Sequence, residues 1–414
     1  MKENFIGQSS RGSSMRRAVR ALIAASSVLL MFALGGCEGL LRQPAPTDRA
    51  PPVLEGFKDV RYYPMNPDLP PPPSVGDAFM NEPADAYQTD GDTLVYNYLA
   101  VSGGGSDGAF GAGLLKGWTQ SGGRPKFKFV TGVSTGALIA PFAFLGPEYD
   151  GTLKEAYTTV DAQRLYLARG LMSLLWEESL TDNKPFREMI AKYVDDKVLD
   201  RIAEEHRKGR RLYVLTTDLD REEPVVWDMG AIADGVGPER LDLFRKVILA
   251  SASIPAFFPP VLINVKIDGA VRDELHVDGG VFAQSFFVGN QIDLRALERR
   301  AHPAWKGKIA HRLYVIRNGR LDPVPRKVDR TLGSITAYSI DSMLKASGVN
   351  DLYRLYLGDL AGELELRYVA IPHEYVPSSL EEFNQAEMVQ QYNLGLSIGE
   401  KGIPWQRTPP GFQK

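Results

Sequence analysis

Two successive strand-to-helix turns between residues 93 and 145 constrain this chain more than any other feature. Thr93 to Val101 (TLVYNYLAV) is apolar and rich in β-forming residues, and glycines end it. Gly108 to Trp118 then reads as a helix. Lys126 to Val130 predicts a short strand, followed at once by a turn and the apolar helix Ala137 to Leu145. Strand, helix, strand, helix is the signature of a parallel sheet covered on both faces. Further strands are predicted at Arg211 to Thr217, Glu274 to Val277, His311 to Arg317 and Leu364 to Ile371. Helices are predicted over 150–162, 164–177, 184–206, 240–252, 328–346, 350–361 and 383–398. The fold class expected is α/β: a three-layer α/β/α sandwich with a mainly parallel central sheet.

At 414 residues the chain can bury a large core without disulfide or metal staples. Hydrophobic residues at 44% and charged residues at 24% exclude a wholly disordered chain, a collagen and a polytopic membrane protein. A formal charge of -3 gives no global basic field, so nucleic acid is not an expected partner. One cysteine and five histidines support neither an intrachain disulfide nor a zinc cluster, and no metal site is expected.

That one cysteine is Cys37. Arg16, Arg17 and Arg20 precede an uncharged apolar run, Ala21 to Leu34, and Leu34-Gly35-Gly36-Cys37 follows. A basic region, a short apolar region and small residues before a cut describe a secretory signal peptide, and the apolar run is too short for a comfortable transmembrane helix. The ending resembles a bacterial lipobox. That resemblance implies a signal peptide over 1–36, cleavage before Cys37, and lipidation of Cys37 as the membrane attachment. The remaining chain would carry 43 basic and 50 acidic residues, a net charge of -7, so attachment would rest on acyl chains. The expected location is a bacterial cell envelope, lipid-anchored, at the outer membrane facing the periplasm, with the inner membrane as the alternative.

Residues 44–83 hold 11 of the 28 prolines, including Pro70 to Pro73. Such composition favours extended polyproline II and resists helix and sheet. Residues 37–91 therefore read as a Pro-rich tether, with Phe57, Tyr62 and Tyr63 able to pack on a domain surface. The domain itself is expected over 92–405, with a C-terminal tail at 406–414.

Four segments carry candidate chemistry. Gly132-Val133-Ser134-Thr135-Gly136 is a G-x-S-x-G pentapeptide between a strand and a helix. A chain of this composition yields roughly 0.3 such matches by chance, so its place in a sharp strand-to-helix turn gives it meaning. Gly103-Gly104-Gly105-Ser106-Asp107-Gly108 also follows a strand and opens a helix, and consecutive glycines expose N–H groups suited to an anion hole. The same six residues fit G-x-G-x-x-G, but the next strand ends in the serine turn and not in an acidic ribose ligand. No Gly-Lys-Ser/Thr follows, which excludes a phosphate P-loop. Asp278-Gly279-Gly280 sits at a probable strand end. Ala250 to Pro260 (ASASIPAFFPP) closes a helix and enters a proline-fixed turn.

Together and in this order, these segments resemble the patatin-like phospholipases over about residues 94–320. Thr216 to Trp227 is also similar to that family's middle strands. The resemblance implies a patatin-like fold and a Ser–Asp dyad, Ser134 as nucleophile and Asp278 as base, acting on phospholipid or other acyl-ester lipid. It assigns the oxyanion hole to Gly103, Gly104, Gly105, Ser106, Asp107 and Gly108, the nucleophile elbow to Gly132 and Gly136, and the base loop to Gly279 and Gly280. It requires no cofactor. The family's glycine loop usually carries Arg or Lys where this chain has Asp107. A carboxylate there would oppose oxyanion charge unless it caps the helix and points outward, and Asp107→Arg is then expected to raise turnover. The alternative is a weak or inactive lipid-binding scaffold of the same fold. A Ser-His-Asp triad would draw on His311 or His373; His276, two residues before Asp278, would support that carboxylate or be a solvated or core-satisfied histidine. Arg164 to Trp176 would be a core helix or a lid, and Glu204 to Arg211 a solvated helix end or a basic patch.

Overall fold

The computed structural model describes residues 42–412 apart from 49, 67–73, 160–166, 169–180, 256, 326 and 380, and it leaves out the side chains of 85, 167–168, 181–182, 290 and 291. The signal peptide, Cys37, Pro70 to Pro73 and most of Arg164 to Trp176 lie outside the described residues. Ala45–Lys414 makes one compact unit, and Met1–Pro44 clusters separately.

The unit is built on a ten-stranded sheet: β1 (Arg61–Tyr62), β2 (Thr89–Asp90), β3 (Thr93–Val101), β4 (Phe129–Val133), β5 (Arg211–Asp218), β6 (Glu223–Asp228), β7 (Val261–Ile267), β8 (Ala270–Asp278), β9 (Lys308–Arg317) and β10 (Glu365–Ala370). The order is β1-β6-β5-β4-β3-β9-β10, with β2 on β3 and the β7–β8 hairpin joined to β5. The centre, β5-β4-β3-β9-β10, is parallel, and the flanking pairs are antiparallel.

The helices are α1 (Ser74–Met80), α2 (Gly108–Gln120), α3 (Thr135–Leu145), α4 (Asp150–Thr158), α5 (Lys184–Tyr193), α6 (Asp196–Arg207), α7 (Glu239–Ser251), α8 (Leu294–Ala301), α9 (Leu332–Leu360) and α10 (Gln385–Lys401), with a single-turn helix at Met229–Ala233. Strand side chains alternate between faces, and the two cores follow that alternation. Leu99, Val101, Val214 and Ile316 pack with residues of α2 to α7 and α10 on one face. Tyr98, Ala100, Tyr213, Leu215 and Val315 pack with α1, α8 and the C-terminal part of α9 on the other. The result is the three-layer α/β/α arrangement with a parallel centre.

Residues 45–91 are not a free tether. Leu54, Val60 and Tyr63 are buried in one core, and Tyr62, Val75, Ala78 and Phe79 in the other. Val53 and Met65 stay exposed between these anchors, and β1 adds an edge to β6. Arg61 pairs with the buried Glu274. The globular unit thus begins at Ala45 and not near residue 92. The tail also docks: Gln406 exchanges backbone hydrogen bonds with Tyr368, and Phe412 packs on Tyr356.

Three further elements depart from expectation. The helix predicted over 184–206 divides at Val194–Asp195, where the Asp195 side chain caps α6 by accepting from the Val198 N–H at 3.0 Å. The two helices predicted over 328–346 and 350–361 are one, α9. Gly348, in the gap between the two predicted ranges, is where α9 passes Arg317; a Cβ there would lie 2.9 Å from Arg317 Nε. The β7–β8 hairpin was not expected beyond Glu274 to Val277. Its turn residues, Asp268 and Gly269, both have positive φ (52° and 81°), the twist that two-residue hairpin loops prefer.

Candidate active site

The sheet register brings Ser134 and Asp278 together. β4 ends with Val133 paired to Leu215 of β5. The next residue of β5, Thr216, pairs instead with Asp278, the last residue of β8. The exit of β4 and the exit of β8 thus occupy adjacent stations on one strand, and Ser134 begins where Asp278 ends.

Ser134 has φ 56° and ψ -125°, a conformation that L residues adopt only under constraint. The turn is held from several sides. The Ser134 N–H donates to Ser251 Oγ at 3.0 Å, and Ser251 Oγ donates to the Leu215 carbonyl at 2.6 Å. Gly136 lets α3 approach β3 closely, since a Cβ there would fall 2.1 Å from the Val101 carbonyl oxygen. Gly132 meets Gly136 in the same way.

The Asp278 carboxyl is buried. Its Oδ1 accepts from the Gly280 N–H at 2.7 Å, and its backbone N–H donates to the Ser253 carbonyl. Its Oδ2 makes no formed hydrogen bond among the described residues. The Ser134 hydroxyl is still near enough to act on the carboxyl. Burial pushes the Asp278 pKa up to about 7, against the opposing effects of Ser134 and the Gly280 N–H. A contact looser than a formed hydrogen bond is usual at a site without substrate.

The glycine loop lies beside the turn. Of its N–H groups, that of Gly103 donates to Gln284 O, that of Ser106 faces Glu382, that of Asp107 donates to Gly104 O, and that of Gly108 bonds back to Gly105 O and Ser106 O. Among the described residues, the N–H groups of Gly104 and Gly105 have no acceptor. Gly104 has φ 154°, and a Cβ on it would fall 1.8 Å from the Asn318 carbonyl oxygen. Of the six residues expected to form an oxyanion hole, Gly104 and Gly105 are thus the ones whose N–H groups are left open among the described residues.

Asp107 occupies the N-cap position of α2 but makes no cap hydrogen bond. Its Oδ1 accepts from Gln391 Nε2 at 2.7 Å. The residue keeps some exposed surface, yet its carboxyl is withdrawn from water. Burial and the nearby Glu382 carboxylate push its pKa up to about 7, opposed by Gln391 and Arg317. Neither alternative raised for Asp107, a helix cap or a charge facing the oxyanion, describes this contact.

Ser134 and Gly105 open onto an apolar cavity of about 810 Å³ including its mouth. Leu138, Phe142, Ile190, Phe258, Phe383 and Met388 are among its lining residues. No histidine lines it. His276 is buried against Thr216 Oγ1 at 3.0 Å, and His311 is buried against the Tyr98 hydroxyl at 2.6 Å in the opposite core. His373 is exposed beside Glu374. Arg210 and Arg211, in the run read as a solvated helix end, are buried.

Several residues that build the site were not singled out from sequence. Arg317 donates to the Gly103 carbonyl at 2.7 Å and to Ser102 Oγ at 3.1 Å. Gln284 joins the base loop to the glycine loop, and its N–H and that of Ser285 donate to Asp351. Glu382 accepts from Ser106 Oγ at 2.9 Å. Ser251 lies in the Ala250 to Pro260 segment, where nothing local marks it as the brace of the turn. Among the described residues, Asp218, Glu274 and His276 form one group of metal-ligand types, within 4.8 Å. Arg61 already engages Glu274 through both carboxylate oxygens and supplies the positive charge a cation would.

Residues 99–286 match the family model described as patatin-like phospholipase. No curated protein matches the chain. Among solved structures, VipD from Legionella pneumophila is 11% identical, with 74% of this chain and 66% of that chain covered and a TM-score of 0.35. The type III effector protein ExoU is 13% identical, with 85% and 60% covered and a TM-score of 0.19. The chain spans less than two thirds of either protein's length.

Proposed function

We propose, from the premise that residues 99–286 belong to the patatin-like phospholipase family, that this protein is a lipid acyl hydrolase working through Ser134 and Asp278. The observation that carries the reading is the strained Ser134 turn beside a buried carboxyl with a free oxygen, at the wall of an apolar cavity. Asp278 Oδ2 takes the proton of the Ser134 hydroxyl as Oγ attacks the ester carbonyl. The oxyanion rests on the N–H groups of Gly104 and Gly105, with the N-terminus of α3 behind it. Asp278 then gives the proton to the leaving alcohol, and an acyl-serine remains. Water attacks that acyl group, its proton passes to Asp278 and on to Ser134 Oγ, and the fatty acid leaves. A carboxyl with a pKa near 7 is a far better base than an exposed aspartate. The cavity lining suits an acyl chain.

The assay is hydrolysis of a p-nitrophenyl acyl ester, then of a phospholipid panel, by wild type, Ser134→Ala and Asp278→Asn. Each variant should lose activity by about 10³-fold or more. Equal rates in all three would leave a non-catalytic lipid-binding fold.

We also propose that the chain is anchored in a bacterial envelope through acyl groups on Cys37. The basic, apolar and Leu-Gly-Gly-Cys sequence of residues 16–37 supports this. Cys37→Ser should release the protein from the membrane fraction, and mass spectrometry of the N-terminal peptide should detect the acyl groups.

A further inference from the structure

Helix α9 has two unlike halves. Its buried residues are Gly348, Asp351, Leu352, Leu355 and Tyr356, and none precedes 348. At Gly348 and Asp351 it is level with Arg317 and with Gln284, hence with the edge of the sheet that carries the glycine loop. Beyond that point Leu352, Leu355 and Tyr356 run down over the sheet, packed in its core. Residues 332–347, about 24 Å of helix at 1.5 Å per residue, extend from that level towards the Ser134 side, with Asp341 near enough to Arg317 to act on it and Lys345 Nζ donating to the Asp322 carbonyl.

This half has no buried residue and is nearly uncharged; its side chains are exposed or, at 334, 338, 340, 341, 344, 345 and 347, half-buried. Leu332 is 84% exposed, Ile335 51% and Met343 63%. Asp341 and Lys345 are its only charged side chains. A solvated helix of a soluble protein normally shows charged residues on its outer face. The segment leading into it, 320–331, has four basic and two acidic residues, a net charge of +2 in a chain of net negative charge; Lys327 and Arg330 are exposed, as are Asp322 and Asp329. Exposed apolar side chains next to exposed basic ones match the boundary between anionic headgroups and acyl chains.

We infer that the N-terminal half of α9, with Lys327 and Arg330, docks on an anionic lipid surface and holds the Ser134 edge of the sheet against it. That the docked surface is also the substrate rests on the hydrolase reading; the docking itself does not.

The test uses Ala45–Lys414, the compact unit that contains both cores and lacks Cys37 and the apolar run before it. Flotation with equimolar phosphatidylethanolamine–phosphatidylglycerol vesicles should recover the wild-type unit. The triple variant Leu332→Ser, Ile335→Ser, Met343→Ser should lose binding by about tenfold or more, with an unchanged melting temperature. The pair Leu357→Ser, Leu360→Ser, equally exposed but on the far half of α9, should bind like wild type. Ser134→Ala should also bind like wild type, which separates failure of docking from failure of the hydrolase reading. Vesicle binding that ignores the triple variant would overturn the inference. So would self-association in sedimentation velocity that the triple variant abolishes without any vesicle binding, which would assign the face to a second copy.

Discussion

The guanidinium of Arg317 holds the carbonyl of Gly103 at 2.7 Å. That carbonyl shares a rigid, planar peptide unit with the N–H of Gly104. Fixing one end of the unit fixes the other, so Arg317 orients the Gly104 N–H, the proposed oxyanion donor, from outside the cavity lining. Arg317→Lys keeps the charge but loses the pair of donors reaching Gly103 and Ser102. It should lower kcat on a p-nitrophenyl ester by roughly 10- to 100-fold with little change in KM, less than the loss of a whole oxyanion donor. Equal changes in kcat and KM would point to a packing role alone. Gly104→Ala, whose Cβ would collide with Asn318, should abolish activity and lower the melting temperature as well.

Replacing Asp107 tests whether its charge restrains catalysis. Its carboxyl bonds Gln391 and lies near Arg317, not in the cavity lining. Asp107→Arg is therefore expected to lower ester turnover, the reverse of what the loop sequence alone suggests. It sets a second guanidinium beside the buried Arg317 and removes the Gln391 contact. Asp107→Asn should stay within about threefold of wild type, because it keeps the shape and an acceptor for Gln391. A rise in kcat for Asp107→Arg would restore the inhibitory role.

Activity should rise with pH through about 7, because Asp278 must be ionised to accept the serine proton and its pKa is about 7. Stability should move the other way. With a folded pKa raised above the unfolded value, the native state binds more protons than the unfolded state between about pH 4 and 7, so stability falls as pH rises through that window. Asp278→Asn should then be the more thermostable form at about pH 8 and lose that advantage towards pH 4. The ceiling is about 4 kcal/mol, at about 1.36 kcal/mol per pH unit. Asp107 titrates in the same range, so the rate profile is best measured in Asp107→Asn as well.

Histidine replacement separates a dyad from a triad. His276→Ala and His311→Ala should each cost stability, on the order of 1–3 kcal/mol for a buried hydrogen-bonded group, while retaining ester hydrolysis. His373→Ala, at an exposed site, should change neither. Loss of all activity in any one, with the fold intact by circular dichroism, would argue for a histidine relay.

What sequence made legible was local. The serine turn, the glycine loop and the base loop are each a few contiguous residues, and their residue types follow from local backbone geometry. The bracing was not legible because its partners lie far apart in the chain. Ser106 meets Glu382, Gly103 meets Arg317, and the Ser134 N–H meets Ser251. An arginine at a strand end or a glutamate in a loop carries no local mark of such a role. Proline content misled over residues 45–91, because composition reports backbone stiffness and not whether Leu54, Val75 or Phe79 finds a pocket. The β7–β8 hairpin is different: Asp268-Gly269 between two β-rich runs is a readable hairpin signal that the proline-rich block before it obscured.

That turn also works as an indexing pin for the site. β8 runs from Ala270 to Asp278, roughly 30 Å of extended chain, and its register on β7 begins at the Ala270–Ile267 pair beside the turn. Because strand side chains alternate, a slip of one residue would send the Asp278 position to the opposite face. A single inserted residue at Asp268-Gly269, remote from every reacting atom, could silence the protein while leaving its cores and cavity whole. Insertion of a pair would preserve the face and move the carboxyl one step along β5. The chemistry proposed at Ser134 thus depends on counting as well as on contact.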